Sequence, residues 1–222
     1  MARRADPAAA AGWDRHAARY GAQEHLETTA VEAALRVAAP RPDERLVDLG
    51  TGSGLVLRRL ASHATRPGEA VGVDRSPRML ATAGALPAGW RALSAEARAV
   101  PLADGWADVV TCSYVLHLLD AQERAALLAE ARRLLAPRVS SRLVVTTVWS
   151  DRVLVRGALG LLARAMPAAC GGLRPLDPTA DLRRAGFDLT TRVRLPRHGY
   201  PSLVLCARRR SPRLDSLNAT RF

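Results

Sequence analysis

A hydrophobic segment that runs directly into a cluster of glycines constrains the fold of this chain more than any other feature. Leu46 and Val47 have the apolar side chains of a buried strand end. Three alternating glycines follow within a few residues: Gly50, Gly52 and Gly54. Glycine lets a backbone turn tightly and lets a ligand approach without meeting a Cβ atom. With a helix expected next, over residues 56–62, this pattern predicts a pocket for a nucleoside cofactor.

The spacing of the glycines distinguishes between two cofactors. A dinucleotide-binding loop has the pattern G-x-G-x-x-G, which would place its third glycine at position 55, where this chain has Leu55. Asp48 also stands where a nicotinamide enzyme usually has an apolar residue, and its carboxylate could hold a cation or orient the loop. Both differences favour S-adenosylmethionine over NAD. The loop residues expected around that cofactor are Asp48, Gly50, Thr51, Gly52 and Gly54.

An acid at the end of a second apolar strand supports the same kind of ligand. Asp74 ends the predicted strand 70–74 and lies 20 residues after Gly54, which is typical of a ribose-binding acid. A carboxylate accepts hydrogen bonds from both ribose hydroxyls and repels a phosphate, so the ligand should carry a free ribose diol. Ser76 then caps a helix, and Met79 on its inner face contacts adenine or packs in the core.

Four segments of the chain, taken in order, resemble the class I S-adenosylmethionine-dependent methyltransferases. They resemble most the branch that includes ubiquinone and menaquinone biosynthesis enzymes and many small-molecule methyltransferases. The segments are WDRHAARY at 13–20, the glycine loop, DRSPRML at 74–80, and EARAVPL at 96–102, which continues into DGWADVV at 104–110. The resemblance implies a Rossmann-like, doubly wound α/β fold with a seven-stranded sheet, an antiparallel last strand and helices on both faces.

The resemblance also implies roles for residues outside the glycine loop. Glu96 stands where the family usually has an aspartate facing the adenine amino group, and its longer side chain keeps the carboxylate acceptor. The backbone of Ala97 would face the adenine ring, and Ser113 would line the methionine side. The further residues implied in cofactor binding are Tyr20, Arg75 and Met79.

Aromatic residues are the candidates for covering the cofactor and lining the acceptor pocket. Trp13 and Tyr20 are seven residues apart and share one face of a helix that would fold over the cofactor as a lid. Tyr114 follows a central strand and Trp149 ends another, so we expect them to form two walls of the acceptor pocket. Packing in the core is the alternative role for all four side chains.

Methyl transfer is an in-line displacement that needs alignment, desolvation and, for some acceptors, a base. For a phenol, enol or ammonium acceptor, His117 is the first candidate for that base, because it follows the central strand 108–112 through a loop at the pocket edge. A structural or cofactor-orienting role explains the same histidine equally well. His198 and Tyr200, between the last two strands, are second candidates, or turn residues.

The rest of the chain alternates helices and strands as a doubly wound sheet requires. Further strands are predicted at 108–112, 142–148, 188–193 and 202–207, and further helices at 120–135, 153–166 and 178–185. We expect a single domain over residues 1–210, consisting of a helical lid (1–40), a cofactor-binding core (41–150) and substrate-side helices and closing strands (151–210). A basic tail, 211–222, follows it.

The charge of the chain suggests what its partners are. The net charge is +12, all 33 basic residues are arginine, and residues 151–222 hold 14 arginines against 5 aspartates. A carboxylate or phosphate substrate, an anionic membrane surface and an RNA backbone would each use this charge. RNA is disfavoured, because only 4% of the residues are aromatic and no basic stripe is interleaved with them. The predicted helix 153–166 mixes leucines with two arginines, which suits a membrane interface or an ordinary lid helix.

The cysteines and the apolar segments indicate in which cellular compartment the protein is expected. Cys112, Cys170 and Cys206 have no paired spacing, so neither a disulfide framework nor a zinc site is predicted. No apolar run approaches membrane-spanning length, and the N-terminal arginines and alanines are too weakly apolar for a secretory signal. We therefore expect a cytoplasmic protein.

The predicted function is an S-adenosylmethionine-dependent methyltransferase that acts on a small molecule, with a mouth that favours negative charge, and releases S-adenosylhomocysteine. Secondary metabolites and quinone-like molecules suit this prediction, and the acceptor atom is open among carbon, oxygen and nitrogen. A methyltransferase for lipid headgroups of the phosphatidylethanolamine type is one alternative. A cofactor-binding module without methyl transfer is the second, and a nicotinamide oxidoreductase is the third.

Overall fold

The structure is a computed structural model that describes residues 20–165, 174–196 and 200–210. Its strands are β1 (Arg45–Leu49), β2 (Glu69–Asp74), β3 (Trp90–Ser94), β4 (Val109–Ser113), β5 (Arg142–Val148), β6 (Phe187–Leu195) and β7 (Ser202–Arg209). Its α-helices are α1 (Tyr20–Ala38), α2 (Leu55–Ala61), α3 (Pro77–Ala81), α4 (Ala121–Leu134), α5 (Val153–Ala165) and α6 (Thr179–Arg184). A short 3-10 helix, Leu116–Leu118, follows β4.

The seven strands form one sheet in the order β3-β2-β1-β4-β5-β7-β6. The first five strands are parallel, and β7 is antiparallel to both β5 and β6. The predicted seven-stranded fold with an antiparallel last strand is therefore confirmed. The strand order reverses between β1 and β4, and their carboxyl ends leave a crevice at this point, where ligands of open α/β sheets bind.

Apolar side chains cover both faces of the sheet, because its central strands are buried on both sides. All seven residues of β5 are buried. On one face the core includes Leu127, Leu128 and Leu134 of α4 together with Leu182 of α6. On the other face α1 and α2 contribute a second cluster that includes Val31, Leu35, Leu57 and Leu60. Helices thus protect both faces, as the fold prediction requires.

The predicted elements agree with the structure where the sequence pattern is strong. The strand predicted at 142–148 is β5. Asp120 and Glu123 have the sequence spacing that predicts a capping box, and α4 begins with one, in which the two side chains accept from each other's backbone N–H groups. The sequence did not indicate β3, an edge strand in which only Trp90 is buried. At the other edge, β6 runs to Leu195, beyond the predicted end at 193, with mostly exposed side chains. Edge strands lack the apolar pattern that makes a strand recognisable.

The cysteines and the lengths of the helices bear on the predictions about disulfides and membranes. Cys112 and Cys206 are buried and unpaired, and Cys170 lies outside the described residues. No helix in the described part of the chain is long and apolar enough to cross a membrane. The described residues also contain no group of three histidine, cysteine or acidic side chains that could hold a metal ion.

A buried ion pair joins the start of β5 to the residue that precedes β1. Arg142 is only 9% exposed, and its guanidinium donates to both carboxylate oxygens of Glu44 at 2.8 and 2.9 Å. It also donates to the carbonyls of Ala38, Ala39 and Ser140. Burial alone would raise the pKa of Glu44, but the hydrogen bonds from Arg142 and Arg41 outweigh it and hold that pKa below its usual value.

Arg142→Ala should lower the free energy of unfolding by about 3–5 kcal/mol, because it leaves the Glu44 carboxylate buried without its partner. Urea unfolding followed by circular dichroism measures the difference. Arg194→Ala is the matched control: it removes an ion pair with Asp151 in which both side chains are more than half exposed. That control should cost less than about 1 kcal/mol. A similar small loss for Arg142→Ala would contradict the assigned role of the buried pair.

Candidate active site

The glycine loop requires glycine at its alternating positions. Gly50, Gly52 and Gly54 have φ values of 71°, 54° and 78°, in the left-handed region that other residues rarely adopt. A Cβ atom on Gly50 would collide with the side chain of Val115, and one on Gly54 would lie 2.8 Å from the Cβ atom of Ala83. The loop after β1 is therefore pressed against both the loop after β4 and the region following α3.

The end of β2 anchors this loop on its strand side. The N–H groups of Gly50 and Thr51 both donate to the carbonyl of Val73, at 2.8 and 2.9 Å. Asp74 accepts from the N–H of Gly52 through Oδ2 and from the N–H of Ser76 through Oδ1, both at 2.9 Å. Burial raises the pKa of Asp74 above its usual value, and these N–H donors oppose that effect. Each oxygen keeps lone pairs that can accept from a ligand hydroxyl.

A cavity of about 280 Å³ opens at the carboxyl edge of the sheet, next to the glycine loop. It brings together most of the residues predicted to bind a cofactor. The predicted residues that line it are Gly50, Gly52, Asp74, Arg75, Met79, Glu96, Ala97, Ser113 and Tyr114. Residues from the first four parallel strands, or from the loops after them, thus converge on one space.

The carboxylate of Glu96 is the most informative group in the cavity. Its Oε2 lies 3.4 Å from the guanidinium of Arg98. Its Oε1 is buried and has no hydrogen-bond partner within the described residues. A buried acceptor without a donor is costly, so such a group is usually satisfied by a ligand or an ordered water. Oε1 can accept a hydrogen bond from an amino group that enters the cavity.

Tyr114 turns the chain at the other end of the cavity, directly after β4. Its φ of 59° is unusual for a residue with a side chain, and strained backbone of this kind is frequent at functional sites. Its hydroxyl lies 2.7 Å from Oγ of Ser202, which itself donates to the carbonyl of Tyr200 at 2.8 Å. Because Ser202 has a single hydroxyl proton, Tyr114 is the donor in this pair. Burial raises the pKa of Tyr114 well above its usual value and outweighs the opposing effect of the Ser202 hydrogen bond, so the side chain is a neutral phenol.

His117 is buried beside this tyrosine. It is 4% exposed, and its ring lies edge-on to Tyr114 with 6.2 Å between the ring centroids. Burial lowers its pKa to about 4, so the imidazole is neutral at physiological pH. Its Nδ1 has no hydrogen-bond partner in the described part of the chain. The imidazole lies behind the cavity wall rather than among the lining residues.

Several predicted site residues lie beside the cavity or outside the described residues. Thr51 and Gly54 are buried in the loop itself, and Tyr20 begins α1. Trp149 packs against the core, and the guanidinium carbon of Arg156 lies 4.6 Å from the centre of its ring. Trp13, His198 and the tail 211–222 fall outside the described residues.

The cavity also contains residues that the sequence did not single out for binding. They are Arg98, Val115, Leu118, Leu119, Glu123 and Leu127. Three of them belong to the loop after β4, where the only signal available was their position after a predicted central strand. Glu123 was assigned to a capping box, which is correct, and it also pairs with Arg98 at 2.9 Å.

Asp48 lies beneath the loop rather than among the lining residues of the cavity. It is 1% exposed, and its Oδ1 accepts a hydrogen bond from the hydroxyl of Thr111 at 2.7 Å. Burial raises its pKa to about 6, with a smaller contribution from the charge of Asp74. In the unfolded chain the same carboxyl titrates near the ordinary aspartate pKa of 3.8. Folding therefore favours the protonated form, and stability should fall as the pH rises from about 4 to about 6.

Asp48→Asn should stabilise the protein at pH 7.5 by up to about 3 kcal/mol, because the amide keeps the acceptor for Thr111 and removes the buried charge. The gain should be much smaller near pH 4, where the wild-type carboxyl is protonated in the folded state and close to half protonated in the unfolded one. Urea unfolding at the two pH values measures both quantities. A variant that is destabilised at pH 7.5 but not at pH 4 would show that the negative charge itself holds the loop.

Comparisons with known proteins show what this arrangement is similar to. A family model described as a methyltransferase domain matches residues 46–138. The chain is 37% identical over 137 residues to a dimethylglycine N-methyltransferase of Parasynechococcus marenigrum (strain WH8102). That match covers 57% of this chain and 48% of the relative, so the chain spans about half the length of the curated relative that it matches.

Solved structures share the fold at low sequence identity. A Haloferax volcanii putative methyltransferase, in complex with the Trm112 methyltransferase activator, superposes with a TM-score of 0.71 at 18% identity, over 90% of this chain and 98% of that one. Burkholderia thailandensis 1,6-didemethyltoxoflavin-N1-methyltransferase gives 0.66 at 19% identity, over 95% and 92%. Geranyl diphosphate C-methyltransferase of Streptomyces coelicolor A3(2) gives 0.65 at 16%, over 82% and 79%. Residues 46–138 of this chain thus match a methyltransferase domain, and these solved structures share its fold.

Proposed function

We propose that this protein transfers the methyl group of S-adenosylmethionine to a small-molecule acceptor. The observation that carries the proposal is the placement of Asp74 and Glu96 in one cavity beside the glycine loop. One carboxylate follows β2 and suits a ribose diol, and the other has a buried, unpartnered oxygen that suits an amino group. An adenosine moiety carries both groups. The Burkholderia and Streptomyces structures, which share the fold, contain S-adenosylhomocysteine.

The residues present fit such a cofactor. Asp74 would accept from the ribose hydroxyls and Glu96 from the adenine amino group, with Ala97 and Met79 beside the ring. The glycines allow close backbone approach, and Ser113 and Tyr20 would face the methionine part. Arg75 would lie at the cavity rim. When bound, S-adenosylmethionine supplies an electrophilic methyl group on a sulfonium.

The proposed contribution of the chain to the reaction is alignment and exclusion of water. The apolar side chains of Val115, Leu118 and Leu119 line the cavity and lower its polarity. Alignment of nucleophile and methyl group in such a site can supply most of the rate acceleration for a displacement. Three residues would support the loop instead of contacting the cofactor: Asp48 from beneath, and Thr51 and Gly54 as buried parts of the loop itself.

A small molecule is the proposed acceptor, with an anionic group favoured by the net charge of +12. The curated relative acts on dimethylglycine, and the two structural neighbours act on 1,6-didemethyltoxoflavin and geranyl diphosphate. Tyr114 and Trp149 are the proposed walls of the acceptor pocket. Both follow strand ends at the carboxyl edge of the sheet, β4 and β5 respectively.

A lipid headgroup is the second candidate acceptor, on the basis of α5. This helix begins five residues after the end of β5 and exposes Val153, Leu154 and Leu161, the second of them by 88%. Exposed apolar side chains on a helix near a substrate site favour contact with a lipid surface. An acceptor screen should therefore include phosphatidylethanolamine vesicles beside soluble anionic aromatics.

Calorimetric titration with S-adenosylhomocysteine tests the cofactor proposal. Asp74→Ala should weaken binding about 10- to 100-fold, because it removes the proposed ribose contacts and one anchor of the loop. Asp43→Ala removes an exposed aspartate and should leave the affinity unchanged. Wild-type binding to NAD alone, or to neither ligand, would overturn the cofactor assignment. An unchanged affinity in Asp74→Ala would overturn the ribose role only.

His117 could act as a general base or as a residue that holds the backbone turn at Tyr114 in position. Its burial favours the second role. His117→Gln should then lower kcat while the affinity for S-adenosylhomocysteine stays within about twofold. The pH profile of the remaining activity should keep its shape between pH 6 and 8, because an imidazole with a pKa of about 4 does not titrate there. A base role would instead remove an acidic limb from the profile.

A further inference from the structure

Helix α1 is tied directly to the glycine loop by one carboxylate. Glu24, in the second turn of α1, accepts a hydrogen bond from the hydroxyl of Ser53, which lies between two of the loop glycines. It also accepts from Arg58 of α2 through both of its oxygens, at 2.8 and 2.9 Å. One side chain thus joins α1, the glycine loop and α2.

The three residues form a closed set of contacts. Besides its bonds to Glu24, Arg58 donates through Nη1 to the carbonyl of Ser53. Ser53 is buried, and the Glu24 and Arg58 side chains are 21% and 33% exposed. An ion pair that uses both carboxylate oxygens and is largely shielded from solvent has a defined geometry and is screened less than a surface pair. We call this set, Glu24, Ser53 and Arg58, the loop clasp.

The loop clasp holds the side of the loop that the sheet does not hold. Gly50, Thr51 and Gly52 are fixed by the end of β2. Ser53 lies beyond them, between Gly52 and Gly54. Both glycines have left-handed backbone conformations, but glycine can adopt many other conformations as well, so sterics alone do not fix the backbone here. Its position is therefore set by the partners of its hydroxyl and carbonyl, which are Glu24 and Arg58.

We propose that Glu24 and Arg58 are positioning residues that couple the docking of α1 to the cofactor-binding conformation of the glycine loop. The inference rests on the proposed function and deepens it. When α1 is docked, Glu24 orders the loop for the adenosyl cofactor. By reciprocity, a bound cofactor that orders the loop favours docking of α1.

The chain provides a matched control on the same helix. Glu32 is two turns further along α1, and its carboxylate lies 3.1 Å from His63 and 3.9 Å from Arg59, which follow or belong to α2. It joins α1 to the same neighbouring segment without touching the loop. Glu32→Gln therefore reports what the loss of an α1 ion pair does alone, and Glu24→Gln removes an ion pair whose partner, Arg58, also holds the Ser53 carbonyl of the loop.

The experiment is a calorimetric titration of the full chain with S-adenosylhomocysteine, combined with hydrogen exchange of residues 20–38 with and without this ligand. Glu24→Gln should weaken binding about five- to twentyfold, and Glu32→Gln should stay within about twofold. The ligand should slow exchange in α1 in the wild type and in Glu32→Gln, but not in Glu24→Gln. Ser53→Ala, which leaves the ion pair intact, should weaken binding in the same direction.

The outcomes separate this inference from the proposed function. Equal affinities of wild type, Glu24→Gln and Ser53→Ala would overturn the coupling and leave the cofactor assignment intact. Equal losses in Glu24→Gln and Glu32→Gln would also overturn it, because the effect would then belong to helix packing. If Glu24→Gln does not fold, Ser53→Ala alone decides, since it removes a hydroxyl and no charge. A wild type that binds no adenosyl ligand would overturn both the proposed function and the coupling.

Discussion

The site depends on one carboxylate that has two partners in the backbone. Asp74 accepts from the N–H groups of Gly52 and Ser76, so it joins the glycine loop after β1 to the start of α3 after β2. Glycine can adopt many backbone conformations, so the local sequence does not hold the loop in this one. The loop therefore needs a hydrogen-bonding partner outside itself. The group that would bind the ribose is thus also a group that builds the pocket, and loss of it should affect both.

The polarity of the cavity differs from that of the molecule. The chain carries a net charge of +12, yet the three carboxylates of the cavity wall, Asp74, Glu96 and Glu123, outnumber its two guanidinium groups, Arg75 and Arg98. Asp48 lies just beneath the loop. Arg98 bridges Glu96 and Glu123, so one basic side chain keeps two of these acids in place. A cationic sulfonium ligand suits an acidic cavity, whereas the surplus of arginine belongs to other surfaces of the protein. The net charge of the chain therefore says little about its cofactor site.

The parts of the site that the sequence could predict are those encoded by local spacing. The glycine loop, Asp74 and Glu96 each follow a strand at a short, regular distance, and the cavity contains residues from all three. The sequence could not indicate Val115, Leu118 and Leu119 as lining residues, because their place depends on how β4 pairs beside β1. Nor could it indicate the contact of Glu24 with Ser53, 29 residues apart, which no periodicity encodes. Edge strand β3 was missed because half-exposed strands have a weak apolar pattern.

Because the sequence contains no lysine, the presence of arginine at a position does not by itself show that a guanidinium is required there. Arg142 and Arg58 do require one, because each guanidinium contacts several acceptors at once, with five hydrogen bonds in the case of Arg142. A lysine ammonium has a single nitrogen and cannot reach acceptors arranged around a planar fork. If the genome's codon usage drifted away from arginine, exchange to lysine would be tolerated over much of the exterior. These two positions would stay fixed, one for the framework and one for the loop.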